Sequence, residues 1–350
     1  MSEARETTAR FLETADRQHA AVIHLPLERA EADCGPSSVA IAWLGSFHAR
    51  RLLVHISGVH GVEGLAGALV QTELLRRAPR LAAGVAAVWI HGVNRFGMEQ
   101  LRRTNRLNVD LNRNCLENPE YYRGNDPLYG KLAWLVLPGR RRHSRPFGWF
   151  LARILVWAVR YGIGPLAQAI AAGQYEYPTG LFYGGNGLAE ETALLLSWAE
   201  EHLSGRTVIG LIDFHTGLGR FGRSLVLGDT VISGRDQGVR ATPATGGNHR
   251  PAQAAYAARG ELVAALARRC QATFVRRCTH EVGTYAMARV LWVLSEENHF
   301  WHQHPDGPQS ALWRKRLKHV FVPAHSSWRK ALIQESEKVW RKWLDWASTS

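Results

Sequence analysis

The order of apolar and polar positions along the 350-residue chain predicts alternating strands and helices. Short runs rich in Val, Ile, Leu and Phe end at glycine-containing turns, which is typical of buried strands. Four strands are predicted: LLVHISG (52–58), VAAVWIHGVN (85–94), TVIGLIDFHTG (207–217) and TFVRRCTHEVGT (273–284). Helical spacing of apolar residues follows the first of them, at 63–78. We therefore expect an α/β fold, with a twisted mixed, largely parallel sheet sandwiched between helices.

The chain shows no tract that is typical of a domain linker and no repeat of fixed period. Its hydrophobic fraction of 46% is sufficient for a large core. We expect a single domain over residues 1–350, with a helical insertion around 130–172 and a helical C-terminal extension. The sequence gives no indication of the oligomeric state.

The N-terminal sequence and the cysteine content indicate the cellular compartment of the protein. The first 18 residues alternate charged and small side chains and lack the apolar centre of a signal peptide. The four cysteines form no CxxC pair, which fits reduced thiols. We expect a cytoplasmic protein.

The formal charge of +13 raises the question of acidic partners, although 37 of the 43 basic residues are arginine. Residues 140–164 predict a helix that begins at Pro146 and carries Arg153 and Arg160 on one face. That face could lie on an acidic membrane surface, but packing on the domain with a solvated basic edge is favoured. Membrane contact is therefore not expected. The basic stretch 313–330 accompanies no nucleic-acid motif, so nucleic-acid binding is not expected either.

The stretch HISGVHGVEG (55–64) places His60 and Glu63 three residues apart where the first strand ends. Glycines on either side permit the tight backbone path that would bring both side chains to one metal ion. Imidazole nitrogen and carboxylate oxygen are suitable ligands for Zn²⁺. This spacing alone also fits a turn histidine beside a surface glutamate.

His215 lies at the end of another predicted strand, in LIDFHTGLG. Two histidines and one carboxylate, with a fourth position open, form the composition of a catalytic zinc site. Asp213 could orient one ligand from behind. The alternative is a polar residue whose hydrogen bonds are satisfied at a strand end.

Two further stretches supply candidate chemistry. In LRRTNRLNVDLNRN (101–114), the adjacent Asn112 and Arg113 could hold a carboxylate, and Arg103 could stabilise an oxyanion. In THEVGT (279–284), Glu281 could act as a general base. Taken alone, the first stretch also fits a solvated loop, and Glu281 also fits an ion-paired glutamate at a strand end.

Taken together, the motifs resemble those of the zinc carboxypeptidase superfamily, and of a bacterial branch within it. The matching segments occur in the same order as in that family: HGVE (60–63), Arg103, DLNRN (110–114), DFH (213–215) and HEVGT (280–284). The phrase GLFYGG (180–185) adds to the resemblance, which covers essentially the whole chain. The family fold is a twisted mixed sheet flanked by helices.

The resemblance implies one zinc ion per chain, bound by His60, Glu63 and His215. It also implies that Glu281 is the general base of a hydrolase that uses a zinc-activated water. The expected reaction is cleavage of a C-terminal amide bond of a peptide.

The resemblance further implies that Arg103 polarises the scissile carbonyl. Asn112 and Arg113 would hold the free carboxylate of a peptide or N-acyl amino acid substrate. The family often has a tyrosine between the third ligand and the base, and here only Tyr256 lies in that interval. HEVGT is also similar to N-acyl amino acid amidohydrolases such as aspartoacylase and succinylglutamate desuccinylase. A non-catalytic membrane-associated or scaffold protein with a vestigial site is the third alternative.

A separate group of histidines occurs in ENHFWHQH (297–304), which contains His299, His302 and His304. Three histidines near a helix end could bind a metal ion, but no partner motif accompanies them. We interpret the segment as a solvated helix terminus.

Overall fold

The computed structural model describes residues 2–28, 38–78, 81–233, 242–243 and 257–349. Tyr256, which the sequence offered as a further catalytic side chain, lies outside these residues.

One mixed sheet forms the centre of the described part of the chain. Its eight strands are arranged in the order β1-β2-β4-β3-β5-β8-β6-β7. Their bounds are Ala21–Pro26 (β1), Ser38–Leu44 (β2), Arg51–Ser57 (β3), Val85–His91 (β4), Val208–Gly217 (β5), Ser224–Ser233 (β6), Thr242–Pro243 (β7) and Phe274–Gly283 (β8).

The four strands predicted from the sequence are the four central ones, β4, β3, β5 and β8. They run parallel to one another, whereas β1, β2, β6 and β7 pair in antiparallel fashion at the two edges. The α/β class and the mixed sheet are thus confirmed, with the parallel part confined to the centre. In a parallel sheet all carboxyl ends lie at one edge, and this is where ligand sites form in α/β proteins.

Helices cover both faces of the sheet. Successive residues of β4 alternate between two cores: Ala87 and Trp89 belong to one, and Val88 and Ile90 to the other. Residues of α8 and α9 pack into the second core, and those of the remaining helices pack into the first. The helices of the described residues are Glu3–Arg17 (α1), Gly64–Arg76 (α2), Arg95–Gln100 (α3), Pro127–Lys131 (α4), Ala133–Val136 (α5), Phe147–Tyr161 (α6), Ile163–Ala171 (α7), Glu190–Leu203 (α8), Leu262–Arg269 (α9), Met287–Gln303 (α10), Pro308–Phe321 (α11) and Ser326–Thr349 (α12).

The region 127–171 contains four helices, and the C-terminal region after β8 contains three. Pro146 is the residue before α6, with extended backbone angles, so the helix begins one residue later than predicted. Within the described residues, no single helix is long and apolar enough to cross a membrane. Helices α6 and α7 meet those criteria only when taken together, and they are bent by 113°.

Candidate metal centre

His60 and Glu63 lie on a tight connection between β3 and α2. Residues Gly61–Glu63 form a single 3₁₀ turn directly after His60. The turn is held by backbone hydrogen bonds, from Gly61 N to the Arg103 carbonyl at 3.1 Å and from Val62 N to the Arg102 carbonyl at 2.8 Å. A Cβ atom on Gly61 would lie only 2.1 Å from the carbonyl carbon of Gly97, so only glycine fits there. The sequence is thus suited to fix both side chains in place.

The three predicted ligands converge. Nδ1 of His60 lies 2.9 Å from Oε1 of Glu63, and Nδ1 of His215 lies 3.2 Å from Oε2 of the same carboxylate. One ligand atom from each of the three side chains lies within 4.8 Å of the others, and all three side chains are buried. Two imidazole nitrogens and one carboxylate oxygen at such separations form a donor set that fits Zn²⁺.

Each of the two histidines also has a second carboxylate close to its Nε2 atom. Nε2 of His215 lies 2.8 Å from Oδ2 of Asp213, the residue that the sequence offered as an orienting group. Nε2 of His60 lies 3.2 Å from Oδ1 of Asp110, a residue for which the sequence suggested no role of its own. A carboxylate at Nε2 fixes the tautomer and the ring orientation and leaves Nδ1 to face a metal ion.

This arrangement shifts the pKa values of the buried groups at the site. Burial would raise the pKa of Glu63, but His60 and His215 hold that pKa well below its usual range. Burial would also raise the pKa of Asp110, but Arg103, followed by His60, lowers it strongly. For His215 burial would lower the pKa, yet Asp213 and then Glu63 raise it well above its usual value. Glu63 and Asp110 are therefore ionised at neutral pH, as a metal ligand and the group that orients another ligand must be.

Glu281 lies on β8 beside His215. The two residues are register partners on parallel strands, so their side chains lie on the same face of the sheet. Oε2 of Glu281 accepts a hydrogen bond from Leu218 N at 3.2 Å. Burial raises the pKa of Glu281 to about 7; His215 opposes this change and Glu63 adds to it. A carboxyl group with such a pKa can accept and return a proton near neutral pH.

Arg103 contacts two carboxylates at the candidate metal site. Its Nε donates to Oδ2 of Asp110 at 3.0 Å, and its Nη1 donates to Oε1 of Glu63 at 3.4 Å. The guanidinium carbon lies 5.2 Å from the ring centre of Phe182. These contacts hold a positive charge beside the three ligands.

Asn112 and Arg113 lie on a 3₁₀ turn that follows Asp110. Oδ1 of Asn112 accepts from Leu262 N at 3.0 Å, so its Nδ2 points the other way, 3.4 Å from Nε2 of His215. Arg113 donates from Nε to the Ala171 carbonyl at 2.8 Å and from Nη1 to the Asn112 carbonyl at 2.6 Å. Both side chains are thereby fixed by backbone atoms.

All seven predicted site residues line one cavity of about 480 Å³. Sequence reasoning missed Phe182, Arg277 and Thr279, which also line it. GLFYGG was noted only as part of a resemblance, although its phenylalanine lies near both Arg103 and Arg113. Arg277, Thr279 and Glu281 are two residues apart along β8, so their side chains lie on the same face of the sheet. The two-residue period of a strand was therefore the signal that could have revealed Arg277 and Thr279.

The histidine group at 297–304 differs from its prediction in one respect. The segment does include the end of α10, but His299 is buried rather than solvated. Its Nδ1 lies 3.0 Å from Gly139 N and its Nε2 3.0 Å from the Arg141 carbonyl. His299 therefore holds the loop after α5, and the clustered candidate ligands of the described chain are His60, Glu63 and His215.

Fold and side chains together define an α/β protein with a three-ligand candidate metal site at the carboxyl ends of parallel strands. The chain belongs to the family described as "Protein of unknown function (DUF2817)", whose model matches residues 2–335. No curated protein matches the sequence significantly.

Several solved structures are similar to the chain. Carboxypeptidase A from Helicoverpa armigera is 12% identical, with a TM-score of 0.45 over 90% of this chain and 72% of that one. A protein from Shewanella amazonensis provisionally named a metallopeptidase is 12% identical, with a TM-score of 0.44 over 91% and 93%. The murein-tripeptide amidase of Escherichia coli O157 is 14% identical, with a TM-score of 0.38 over 84% and 92%.

Proposed function

We propose that this protein is a zinc-dependent hydrolase of the carboxypeptidase type, which cleaves a C-terminal amide bond. The observation that carries this proposal is the convergence of His60, Glu63 and His215 in a cavity that Glu281 also lines. A structural zinc site would be closed by a fourth protein ligand, whereas three ligands facing a cavity suit a catalytic site.

His60, Glu63 and His215 would hold one zinc ion per chain. Zinc in such a site supplies Lewis acidity, which lowers the pKa of water and polarises a carbonyl group. Asp110 and Asp213 keep the two imidazole rings oriented, since each places a carboxylate oxygen within 3.2 Å of the ring nitrogen that faces away from Glu63.

Glu281 acts as the general base. It takes a proton from the attacking water and later delivers that proton to the leaving nitrogen. Its position is set by the pairing of β8 with β5, and its Oε2 is oriented by Leu218 N. Burial keeps the pKa of Glu281 near 7, so both proton transfers can occur near neutral pH.

Three side chains bind the substrate. Arg103, fixed by Asp110 and Glu63, stabilises the negative charge that develops on the carbonyl oxygen. Asn112 and Arg113, fixed by backbone atoms, hold the terminal carboxylate through charge-assisted hydrogen bonds. An N-acyl amino acid presents the same pair of groups, an amide and a free carboxylate, and is therefore the second substrate class to test.

The test is hydrolysis by the zinc-loaded protein of N-blocked dipeptides, cell-wall-type peptides and N-acyl amino acids. Each substrate is supplied as the free acid and as the C-terminal amide. Glu281→Gln should retain zinc and lose turnover by about 10²–10⁴-fold, because the amide cannot accept a proton. The control Glu120→Gln changes an exposed glutamate and should be as active as the wild type.

Equal cleavage of free acids and amides by the wild type would contradict the carboxypeptidase-type reaction. Cleavage confined to N-acyl amino acids would support the amidohydrolase alternative. Bound zinc without cleavage of any amide would favour a vestigial site.

A further inference from the structure

Helix α6 packs one side against the core and leaves apolar residues exposed on the other side. Phe150 is its only buried residue. Leu155, Val156 and Val159 of α6 are 55%, 63% and 90% exposed, and Ile163 at the start of α7 is 75% exposed. Val159 is three or four residues after Val156 and Leu155, so these three residues share one side of α6, and Ile163 follows at the first position of α7. We call these four residues the apolar strip.

Single exposed apolar residues are common on protein surfaces, but a contiguous group is not. The sequence predicted that this helix packs on the domain with a basic edge. The structure shows that α6 does pack on the domain, through Phe150 and the partly buried Ile154 and Trp157. Arg153 and Arg160 are exposed, and the apolar strip is uncovered as well. A surface of this kind is typical of an interaction site.

The charged residues of the sequence segment that contains the strip are of one sign. Residues 127–175 contain seven Lys or Arg and no Asp or Glu. Five of these basic residues are exposed: Lys131, Arg140, Arg142, Arg153 and Arg160. Trp149, 45% exposed, lies beside Arg153, whose guanidinium carbon is 5.6 Å from the Trp149 ring centre. An exposed apolar strip with arginine and tryptophan at its border matches the chemistry of the interface of an anionic membrane.

We propose that α6 and the start of α7 dock on the surface of an anionic lipid bilayer. Helix α6 lies in the plane of the interface, with the apolar strip among the acyl chains and the arginines at the level of the phosphates. Helix α7 is bent by 113° from α6, and its first residue, Ile163, is exposed next to the end of α6. The sequence did not lead us to expect this contact, because it could not reveal that the strip is uncovered.

The docking surface and the site cavity share one element. Helix α7 ends at Ala171, which lines the cavity and whose carbonyl accepts from Nε of Arg113. A bilayer that contacts the start of α7 is therefore connected to the cavity wall through a single helix of nine residues.

The test is cosedimentation of the full-length protein with vesicles, and it needs no substrate. Vesicles of phosphatidylcholine with about 30% phosphatidylserine are compared with pure phosphatidylcholine at about 0.15 M salt. The wild type should bind the anionic vesicles. The double variants Val159→Asp/Ile163→Asp and Arg153→Glu/Arg160→Glu should each bind at least about tenfold more weakly.

The matched control is Leu188→Asp/Leu312→Asp, which places the same two charges on exposed apolar residues outside the strip and should bind like the wild type. Unchanged circular dichroism shows that each variant is folded. Failure of the wild type to bind anionic vesicles overturns the proposal, and so does binding that Val159→Asp/Ile163→Asp leaves intact. A dimer that dissociates in this variant, without vesicle binding by the wild type, would instead assign the strip to a second copy of the chain.

Discussion

His215 and Glu281 are register partners on the neighbouring parallel strands β5 and β8. The candidate ligand and the candidate base are therefore fixed relative to each other by backbone hydrogen bonds of the sheet rather than by loops. Rigid placement of this kind is what general-base catalysis requires, because proton transfer depends on hydrogen-bond distance.

Zinc binding should depend on the two histidines. His60→Ala and His215→Ala should each lose most of the zinc, because a site of three ligands is left with two. His302→Ala is the matched control, since it removes a histidine outside the cluster. Elemental analysis after dialysis measures the metal, with about one zinc per wild-type chain expected. Full zinc content in His215→Ala would show that the ligand assignment is wrong.

Asp110 and Asp213, which contact the two histidines, should increase the affinity of the site for zinc. Asp110→Asn and Asp213→Asn should each weaken zinc binding by about 10–100-fold, because each removes the group that orients one ring. Competition with a chromophoric chelator measures the dissociation constant. Asp306→Asn changes an exposed aspartate and should bind zinc as the wild type does. Affinities unchanged by both site variants would mean that these carboxylates have only a structural role.

In the metal-free protein, the buried carboxyl group of Glu281 should make the free energy of unfolding depend on pH. Burial raises the pKa of Glu281 from 4.5 to about 7 in the folded protein. Between these pH values the folded state retains a proton that the unfolded chain releases, so the free energy of unfolding falls as pH rises. Glu281→Gln should abolish this loss and be more stable than the wild type at about pH 8, by on the order of 3 kcal/mol.

The measurement is urea denaturation in the presence of a chelator, at several pH values. The advantage of Glu281→Gln over the wild type should shrink as the pH is lowered toward 4.5. An advantage that is the same at every pH would contradict a raised pKa for Glu281.

Gly61 should tolerate no side chain. A Cβ atom would meet the backbone of Gly97 at 2.1 Å, so Gly61→Ala must move the turn that carries His60 and Glu63. We expect a loss of at least about 1–3 kcal/mol in stability and weaker zinc binding. Gly148→Ala is the control, because its Cβ would meet nothing within 4 Å and alanine favours the helix. Wild-type melting temperature and zinc affinity in Gly61→Ala would refute this explanation.

Arg113 should determine the preference for free carboxylates. Arg113→Ala removes a charge-assisted contact worth about 1.5–3 kcal/mol, so binding of free-acid substrates should weaken by about ten- to hundred-fold. Binding of amidated analogues should change little. Arg123→Ala, an exposed arginine, serves as the control, and inhibition constants of matched acid and amide ligands provide the readout. Equal losses for acid and amide would assign Arg113 to structure rather than to recognition.

Three of the four central strands, β3, β4 and β5, were predictable because each contains a nearly continuous apolar run. Strand β8 has several charged residues, and it was identified from its apolar and β-branched positions and the glycine turn that ends it. The strands β1, β2, β6 and β7 were missed. β2 is a buried apolar run that was not identified from the sequence. β1 is largely exposed, β6 is interrupted by Gly228 and a shift of register, and β7 has only two residues. Pairing with a neighbour, rather than local pattern, decides whether such segments become strands.

The candidate site was predictable where chemistry coincides with a strand end, as for His215 and Glu281. The role of Asp110 was not, since it depends on a loop that brings its carboxylate to His60 and Arg103. The uncovered strip on α6 was hidden for the same reason: spacing predicts an apolar side but not what lies against it.

The strand order of the sheet has a consequence for synthesis of the protein. β8 is the last strand in the chain, yet it lies between β5 and β6, so β6 cannot join the sheet before β8 has been made. Domains form from the N-terminus onward during translation. A nascent chain that stops short of β8 has all three candidate ligands but lacks Glu281. The strand that joins β5 to β6 is also the one that brings the candidate base beside the candidate ligands, so the site is assembled only when the sheet is complete.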